Sequence, residues 1–191
     1  STFRYNEDQY KDFLKNETVS GTTNVTTNLL YFDFDSKSDI ELARKDAIEV
    51  IKRLASNGIN PDNIEISFTG NKGFSVEVET DQRFNETEFK NVTFGLAADL
   101  PTFDKVVNDP QRIVRVAGTK HKVSGLYKLP ISLEQLTSMT ASEIRTAAKD
   151  FNNVIKAEAI TSKYSVVELP DNITNLKVTI QKEKAPVQTV V

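Results

Sequence analysis

Two aspartates, Asp33 and Asp35, stand one residue apart in the apolar run LLYFDFDS. Side chains at positions i and i+2 of a β-strand point to the same face, so both carboxylates would share one side of a strand while Phe32 and Phe34 fill the other. Like charges about 5 Å apart repel by about 3 kcal/mol at an effective dielectric constant of about 20, and divalent cations remove that repulsion. The pair therefore predicts a metal site, with two solvated aspartates on an edge strand as the alternative.

The glycine-bounded turn TGNKGFS is a second segment that could do chemistry. Gly70 and Gly73 let the backbone turn sharply and approach a ligand closely, and the side chains of Thr69, Lys72 and Ser75 can reach phosphate oxygens. The spacing is not that of a P-loop, because the closing Lys-Ser/Thr is missing. The turn predicts a phosphate contact, with a plain hairpin turn as the alternative.

Basic side chains are concentrated between Asp104 and Ile131, although the whole chain has a formal net charge of −3. Such a cluster predicts a local patch that attracts anions. A lone histidine is by itself no sign of catalysis, and this chain has one. The basic residues are Arg112, Arg115, Lys120, His121 and Lys122, with Gly118 and Thr119 among them.

Composition restricts the kind of metal and the class of protein. The 191 residues include no cysteine and one histidine, which excludes a thiolate zinc site and a site of several histidines. A metal site must then use carboxylates, which favours Mg²⁺ or Mn²⁺. No apolar stretch approaches the roughly 20 residues that cross a bilayer. We expect a soluble, intracellular protein of the cytoplasm that does not enter a membrane.

The elements that must position these residues follow the order strand, helix, strand, strand. Ser38 and Glu41 form a capping-box pattern that predicts the start of a helix, and Gly58 ends it. The alternating segments IEISF and FSVEVET predict a β-hairpin. The order as a whole predicts a fold that mixes helices and strands. Further helices are predicted around residues 8–14, 86–100, 133–138 and 142–151, and strands in YSVVEL and LKVTI.

We expect one main structural unit with a segment on either side. Residues 29–153 would form the core, and residues 1–28 an N-terminal segment packed on it. Residues 154–191 would supply C-terminal strands and a flexible tail or linker, because QKEKAPVQTVV shows no pattern of a packed element.

Read in order, these segments resemble the catalytic subunit of archaeo-eukaryotic primases. That family carries an apolar strand ending in Asp-x-Asp, a helix, and a strand leading into Ser-Gly-x-x-Gly-x-His. A third metal-binding aspartate follows, and then Arg-x-Pro-Gly-Ser-x-His-x-Lys-x-Gly-Leu. The counterparts here are FDFD, TGNKGFS, FD at 103–104 and RVAGTKHKVSGL, within residues 29–131. The resemblance implies an α+β fold: an RRM-like primase catalytic core whose mixed or antiparallel sheet is flanked by helices.

The resemblance also implies roles for single residues. Asp33, Asp35 and Asp104 would be the catalytic residues and would hold two metal ions, with Asp109 as a substitute for Asp104. Ser75 stands where the family has histidine, so nucleotide binding or initiation would be weaker, or another residue would compensate. The implied nucleotide-binding residues are Thr69, Gly70, Lys72, Gly73, Ser75, Arg115, Thr119 and His121.

The function that the resemblance implies is that of a DNA primase or primase-polymerase. Such an enzyme makes short primers on a single-stranded DNA template from nucleoside triphosphates, with two Mg²⁺ or Mn²⁺ ions. The absence of cysteine leaves no zinc-binding insertion, which fits a viral or plasmid enzyme or the catalytic domain of a larger replication protein. A viral enzyme would act in the host cytoplasm. A helicase or a second primase subunit would be a partner.

Two other functions remain open from the sequence. A degenerate, non-catalytic primase-like module would bind nucleic acid or nucleotide only. A phosphatase of the haloacid dehalogenase type also begins with a strand ending in Asp-x-Asp, but it continues with Thr or Val two residues after the second aspartate. This chain has Lys37 there, and it offers no close acidic pair after His121.

Overall fold

The computed structural model describes residues 3–4, 7–18, 25–106, 114–161 and 165–176. Asp109 and Arg112 lie outside the described residues. The strands are β1 (Phe3–Arg4), β2 (Thr26–Asp35), β3 (Glu65–Phe68), β4 (Gly73–Phe84) and β5 (Leu129–Pro130). The helices are α1 (Glu7–Asn16), α2 (Ile40–Ser56), α3 (Glu86–Ala97), α4 (Leu133–Ser138), α5 (Ala141–Ala147), α6 (Phe151–Thr161) and α7 (Asp171–Thr174), with a 3₁₀ turn at Pro61–Asn63.

The strands of the described chain form one sheet in the order β1-β2-β4-β3-β5. Every neighbouring pair is antiparallel, including the predicted hairpin of β3 and β4. Helices α2 and α3 pack against β2 and β4. The predicted α+β fold with an antiparallel sheet flanked by helices is therefore confirmed.

The central strand β2 has the alternation that the sequence predicted. Leu30, Phe32 and Phe34 are fully buried in the core, and Asp33 and Asp35 are partly exposed on the opposite side. Three fully buried large side chains contribute about 1.5–3 kcal/mol each, which fixes the register of this strand. The strand starts at Thr26, three residues before the predicted start, because its first two residues, Thr26 and Thr27, pair with β1.

Helix α2 follows the predicted periodicity but not the predicted cap. Its N-cap is Asp39, whose side chain accepts a hydrogen bond from the Leu42 amide at 3.1 Å. The prediction of Ser38 as cap was wrong because Glu41 is engaged elsewhere: its carboxylate accepts from Arg44 and from the Ala141 amide. The buried stripe of the helix consists of Ala43, Asp46, Ala47, Val50, Ile51 and Leu54.

The C-terminal part differs from the sequence prediction. Residues 151–161 form α6, whereas the sequence predicted a helix that ends at Phe151. Apolar residues on several sides of α6 hide its period, since Val154 is buried while Ile155 is exposed. Of YSVVEL, Val167 forms a single bridge with Thr80. Helix α6 crosses the predicted boundary at 153/154, and the division into three parts stays a prediction.

None of the helices in the described ranges has the length and apolar character that spanning a membrane requires.

Candidate metal and phosphate site

Backbone hydrogen bonds bring a distant aspartate to the pair on β2. The Asp104 amide donates to the Asp33 carbonyl at 2.8 Å, and the Asp35 amide donates to the Thr102 carbonyl at 2.8 Å. Segment 102–104 thus runs alongside the end of β2, with Phe34 and Phe103 paired as in an antiparallel ladder. As a result, one carboxylate oxygen from each of Asp33, Asp35 and Asp104 lies within 4.8 Å of the other two.

Two buried contacts hold this segment in place. The centroid of the Phe103 ring lies 5.9 Å from that of the Phe34 ring and 5.6 Å from that of the Phe94 ring. Behind it, the amide and the hydroxyl of Thr102 donate to Asp46 Oδ2 at 2.9 and 2.7 Å. Asp46 was missed by sequence reasoning, although a carboxylate among the apolar positions of a helix indicates a specific partner.

The glycine turn packs directly against the carboxylates. A Cβ on Gly73 would lie 2.0 Å from the Phe34 carbonyl oxygen and 2.2 Å from Asp35 Oδ1, so no other residue fits there. Gly70 has φ of 82°, a conformation that L side chains rarely adopt. The Thr69 amide and hydroxyl both donate to the Gly73 carbonyl, which closes the turn. The backbone therefore passes the Asp35 carboxylate without an intervening side chain.

Lys72, inside this turn, is already engaged with the acidic cluster. Its Nζ lies 2.7 Å from Asp35 Oδ2. The hydrogen bond to Asp35 and the charges of Asp35, Asp104 and Asp33 raise the pKa of Lys72 above its ordinary value. The ammonium therefore stands as a cation beside the carboxylates.

The basic segment reaches the same place through a second turn. The Ser124 hydroxyl donates to the Gly70 carbonyl, which joins the two turns. Nδ1 of His121 accepts from the Val123 and Ser124 amides at 3.2 and 3.3 Å. Burial and the charge of Arg115 lower the pKa of His121 below the ordinary value of a histidine. The imidazole is therefore neutral near pH 7 and carries its proton on Nε2, where it can donate.

Arg115 supplies a further donor to this region. Its Nη1 is buried and finds no hydrogen-bond partner among the residues that the structure describes. A buried guanidinium nitrogen without an acceptor is costly, and a phosphate or carboxylate ligand would satisfy it. The arrangement indicates an anion site beside the three carboxylates.

A cavity of about 290 Å³ joins two of the carboxylates, Asp33 and Asp35, to the basic side chains, whereas Asp104 is not among the described residues that line it. Tyr31, Asn71 and Lys128 also line it, and sequence reasoning identified none of the three. Tyr31 lies two residues before Asp33 on the same strand face, so the alternation of β2 could have indicated it. Six of the predicted site residues line the cavity: Asp33, Asp35, Thr69, Lys72, Arg115 and His121.

Two predicted side chains are not among the described residues that line the cavity. Ser75 is fully buried, and its hydroxyl donates to Glu77 Oε1 at 3.1 Å. Thr119 is exposed, and its hydroxyl donates to the Val116 carbonyl at 2.7 Å. Their roles in nucleotide binding stay predictions, as do those of the other residues.

Comparison with known proteins gives a distant likeness among solved structures. No family model matches the chain, and no curated protein matches it. Among solved structures, the polymerase domain from Mycobacterium tuberculosis Ligase D in complex with DNA matches with a TM-score of 0.47 and 16% identity. The match covers 73% of this chain and 58% of that one. A likeness at this level does not identify the activity of this chain.

Proposed function

We propose that this protein is a metal-dependent nucleotidyltransferase, a DNA primase or primase-polymerase that synthesises short primers on single-stranded DNA. The observation that carries the proposal is the meeting of Asp33, Asp35 and Asp104 within 4.8 Å, where Asp33 and Asp35 also line a cavity together with Lys72, Arg115 and His121. A nucleotidyl-transfer site contains carboxylates that bind divalent cations and, next to them, hydrogen-bond donors that bind phosphate. The order of the primase-like motifs supports the same assignment.

The residues present fit Mg²⁺ or Mn²⁺. All three ligands are carboxylates, the donors that these hard cations prefer. Oxygens bound to Mg²⁺ at about 2.1 Å are at most about 4.2 Å apart, so the spacing in the structure needs only a small adjustment. When bound, two such ions would ease ionisation of a 3′-hydroxyl and neutralise charge that develops on the phosphates.

The protein's own residues would bind and orient the triphosphate. The buried Nη1 of Arg115 would donate to a phosphate oxygen, and neutral His121 would donate through Nε2. Because Nδ1 accepts two backbone hydrogen bonds, His121 is a donor here and not a base. Lys72 would turn from Asp35 to the phosphates once cations neutralise the carboxylates. Holding the reacting groups in place is the main contribution that such an enzyme makes.

A single-stranded DNA template would bind beside this centre, with an affinity that falls steeply as salt rises. A helicase or a second primase subunit would supply further contacts. A purely binding module is disfavoured by the acidic cluster, since three carboxylates beside one lysine leave a local negative charge that would repel nucleic acid.

The test is primer synthesis on a single-stranded DNA template with labelled nucleoside triphosphates and Mn²⁺ or Mg²⁺, with the products sized. Wild type should make short, template-dependent products, and Asp33→Ala or Asp35→Ala should make none while keeping the fold by circular dichroism. Asp62→Ala, in the exposed turn between α2 and β3, is the matched control and should retain activity.

The same assay separates the rival functions. Nucleotide binding without any product would favour the non-catalytic module. Release of phosphate from a generic ester, with no polymer, would favour the phosphatase. Full activity of Asp33→Ala would refute the metal-ligand assignment.

A further inference from the structure

Lys128, in the wall of the cavity, forms a nearly buried ion pair with Glu77. Nζ of Lys128 lies 2.9 Å from Oε1 of Glu77, and the two side chains are 5% and 11% exposed. Taking such a pair out of water costs several kcal/mol per ion, and the attraction between the ions often only offsets that cost. A gain in folding stability therefore does not by itself explain why this ion pair is present.

Glu77 belongs to the sheet face that carries the metal ligands. It is the cross-strand partner of Tyr31, two residues from the pair formed by Ser75 and Asp33. Its Oε1 accepts from both the Ser75 hydroxyl and Lys128 Nζ. The carboxylate thus holds a lysine ammonium near the position where the primase-like pattern has a histidine and this chain has an uncharged serine.

The backbone of Lys128 is fixed to the loop that carries the anion-binding residues. Its amide donates to the Thr119 carbonyl, and its carbonyl accepts from the Gly118 amide, both at 2.9 Å. Gly118 lies between Arg115 and His121 in the chain. The backbone of Lys128 is therefore joined directly to the loop from which both of these side chains project.

We propose that Lys128 is a further triphosphate-binding residue, held at the cavity by Glu77, and that it supplies the positive charge that Ser75 does not bring. The proposal rests on the proposed function. A lysine ammonium has three donors, so one can remain on Glu77 while the others bind phosphate oxygens.

The experiment measures the affinity of ATP with Mn²⁺, and of AMP with Mn²⁺, by isothermal titration calorimetry without template. Lys128→Met should weaken ATP binding about tenfold or more, as expected for a charged hydrogen bond, and AMP binding much less. Glu77→Gln keeps an oxygen acceptor but leaves the ammonium unneutralised, so it should bind ATP more tightly than wild type. Lys90→Met removes an ion pair with Glu86 on α3 and should change neither affinity.

Opposite effects of the two variants distinguish binding from a structural role. A purely structural pair would make both variants weaker binders, or would leave both unchanged, and either result overturns the proposal. If Lys128→Met does not fold, the double variant Glu77→Gln/Lys128→Met, which removes both charges of the pair, should show the same loss for ATP. If the wild type binds no nucleotide, the proposed function is overturned as well. If the wild type and Lys128→Met both bind ATP tightly, only the proposed role of Lys128 is contradicted.

Discussion

The ion pair between Lys72 and Asp35 should compete with metal binding. In the structure the ammonium lies 2.7 Å from a carboxylate oxygen that a divalent cation would use. A cation that binds at Asp35 must displace this ammonium. The substitution Lys72→Met keeps most of the apolar stem and removes the competing charge, so it should strengthen the binding of Mn²⁺ in the absence of nucleotide.

The size of the effect follows from the exposure of the pair. Coulomb's law gives about 6 kcal/mol for two unit charges at this separation with a dielectric constant of about 20. The side chains are 35% and 21% exposed, and water lowers the net contribution of such pairs to about 1 kcal/mol. We therefore expect Lys72→Met to bind Mn²⁺ about fivefold more tightly than wild type.

The assay is titration of the protein with Mn²⁺, followed by the electron paramagnetic resonance signal of the free ion. Lys105→Met removes the same charge from an exposed position next to Asp104, and it should change the affinity less than about twofold. With ATP present, Lys72→Met should bind the nucleotide more weakly than wild type. Unchanged or weaker Mn²⁺ binding in Lys72→Met would refute the competition.

Asp33→Asn should abolish nucleotide incorporation in the primer-synthesis assay. Asp104→Asn should raise the free energy of unfolding of the metal-free protein, measured by urea denaturation, by about 1 kcal/mol, because it removes repulsion between like charges. Gly73→Ala should lower that free energy by more than about 2 kcal/mol because of the clash with the Phe34 carbonyl and Asp35, and Gly125→Ala, with open space but φ of 70°, by about 1 kcal/mol. Since the pKa of His121 is lowered by folding, the unfolded chain binds the proton more readily, and stability should fall as pH drops below about 6.5. The loss of unfolding free energy that protonation of His121 causes should be absent in His121→Asn when urea denaturation at about pH 7.5 is compared with that at about pH 5.5.

The sequence predicted those features that depend on local pattern. The alternation in β2 placed Asp33 and Asp35 on the face away from Phe32 and Phe34, and the structure has this arrangement. The period of α2 and the hairpin of β3 and β4 were also correct. Asp104 was predicted as the third member of the cluster through the order of motifs, and the structure brings it there through a backbone hydrogen bond to Asp33.

Features that depend on distant partners were not predicted. The pair of Glu77 and Lys128 joins residues 51 positions apart, and neither residue type is conspicuous in its own segment. The burial of Ser75 follows from its place on a central strand between β2 and β3. The partner of Asp46 is identified only when Thr102 is seen against it. In each case a tertiary contact, and not a local preference, decides the role of the side chain.

The most direct test of the account is the anomalous scattering of Mn²⁺ in crystals grown with a nucleoside triphosphate. Manganese should lie within coordination distance of the carboxylates of Asp33, Asp35 and Asp104, with the triphosphate against Lys72 and Arg115. Manganese bound away from these three carboxylates, or a triphosphate outside the cavity, would contradict it.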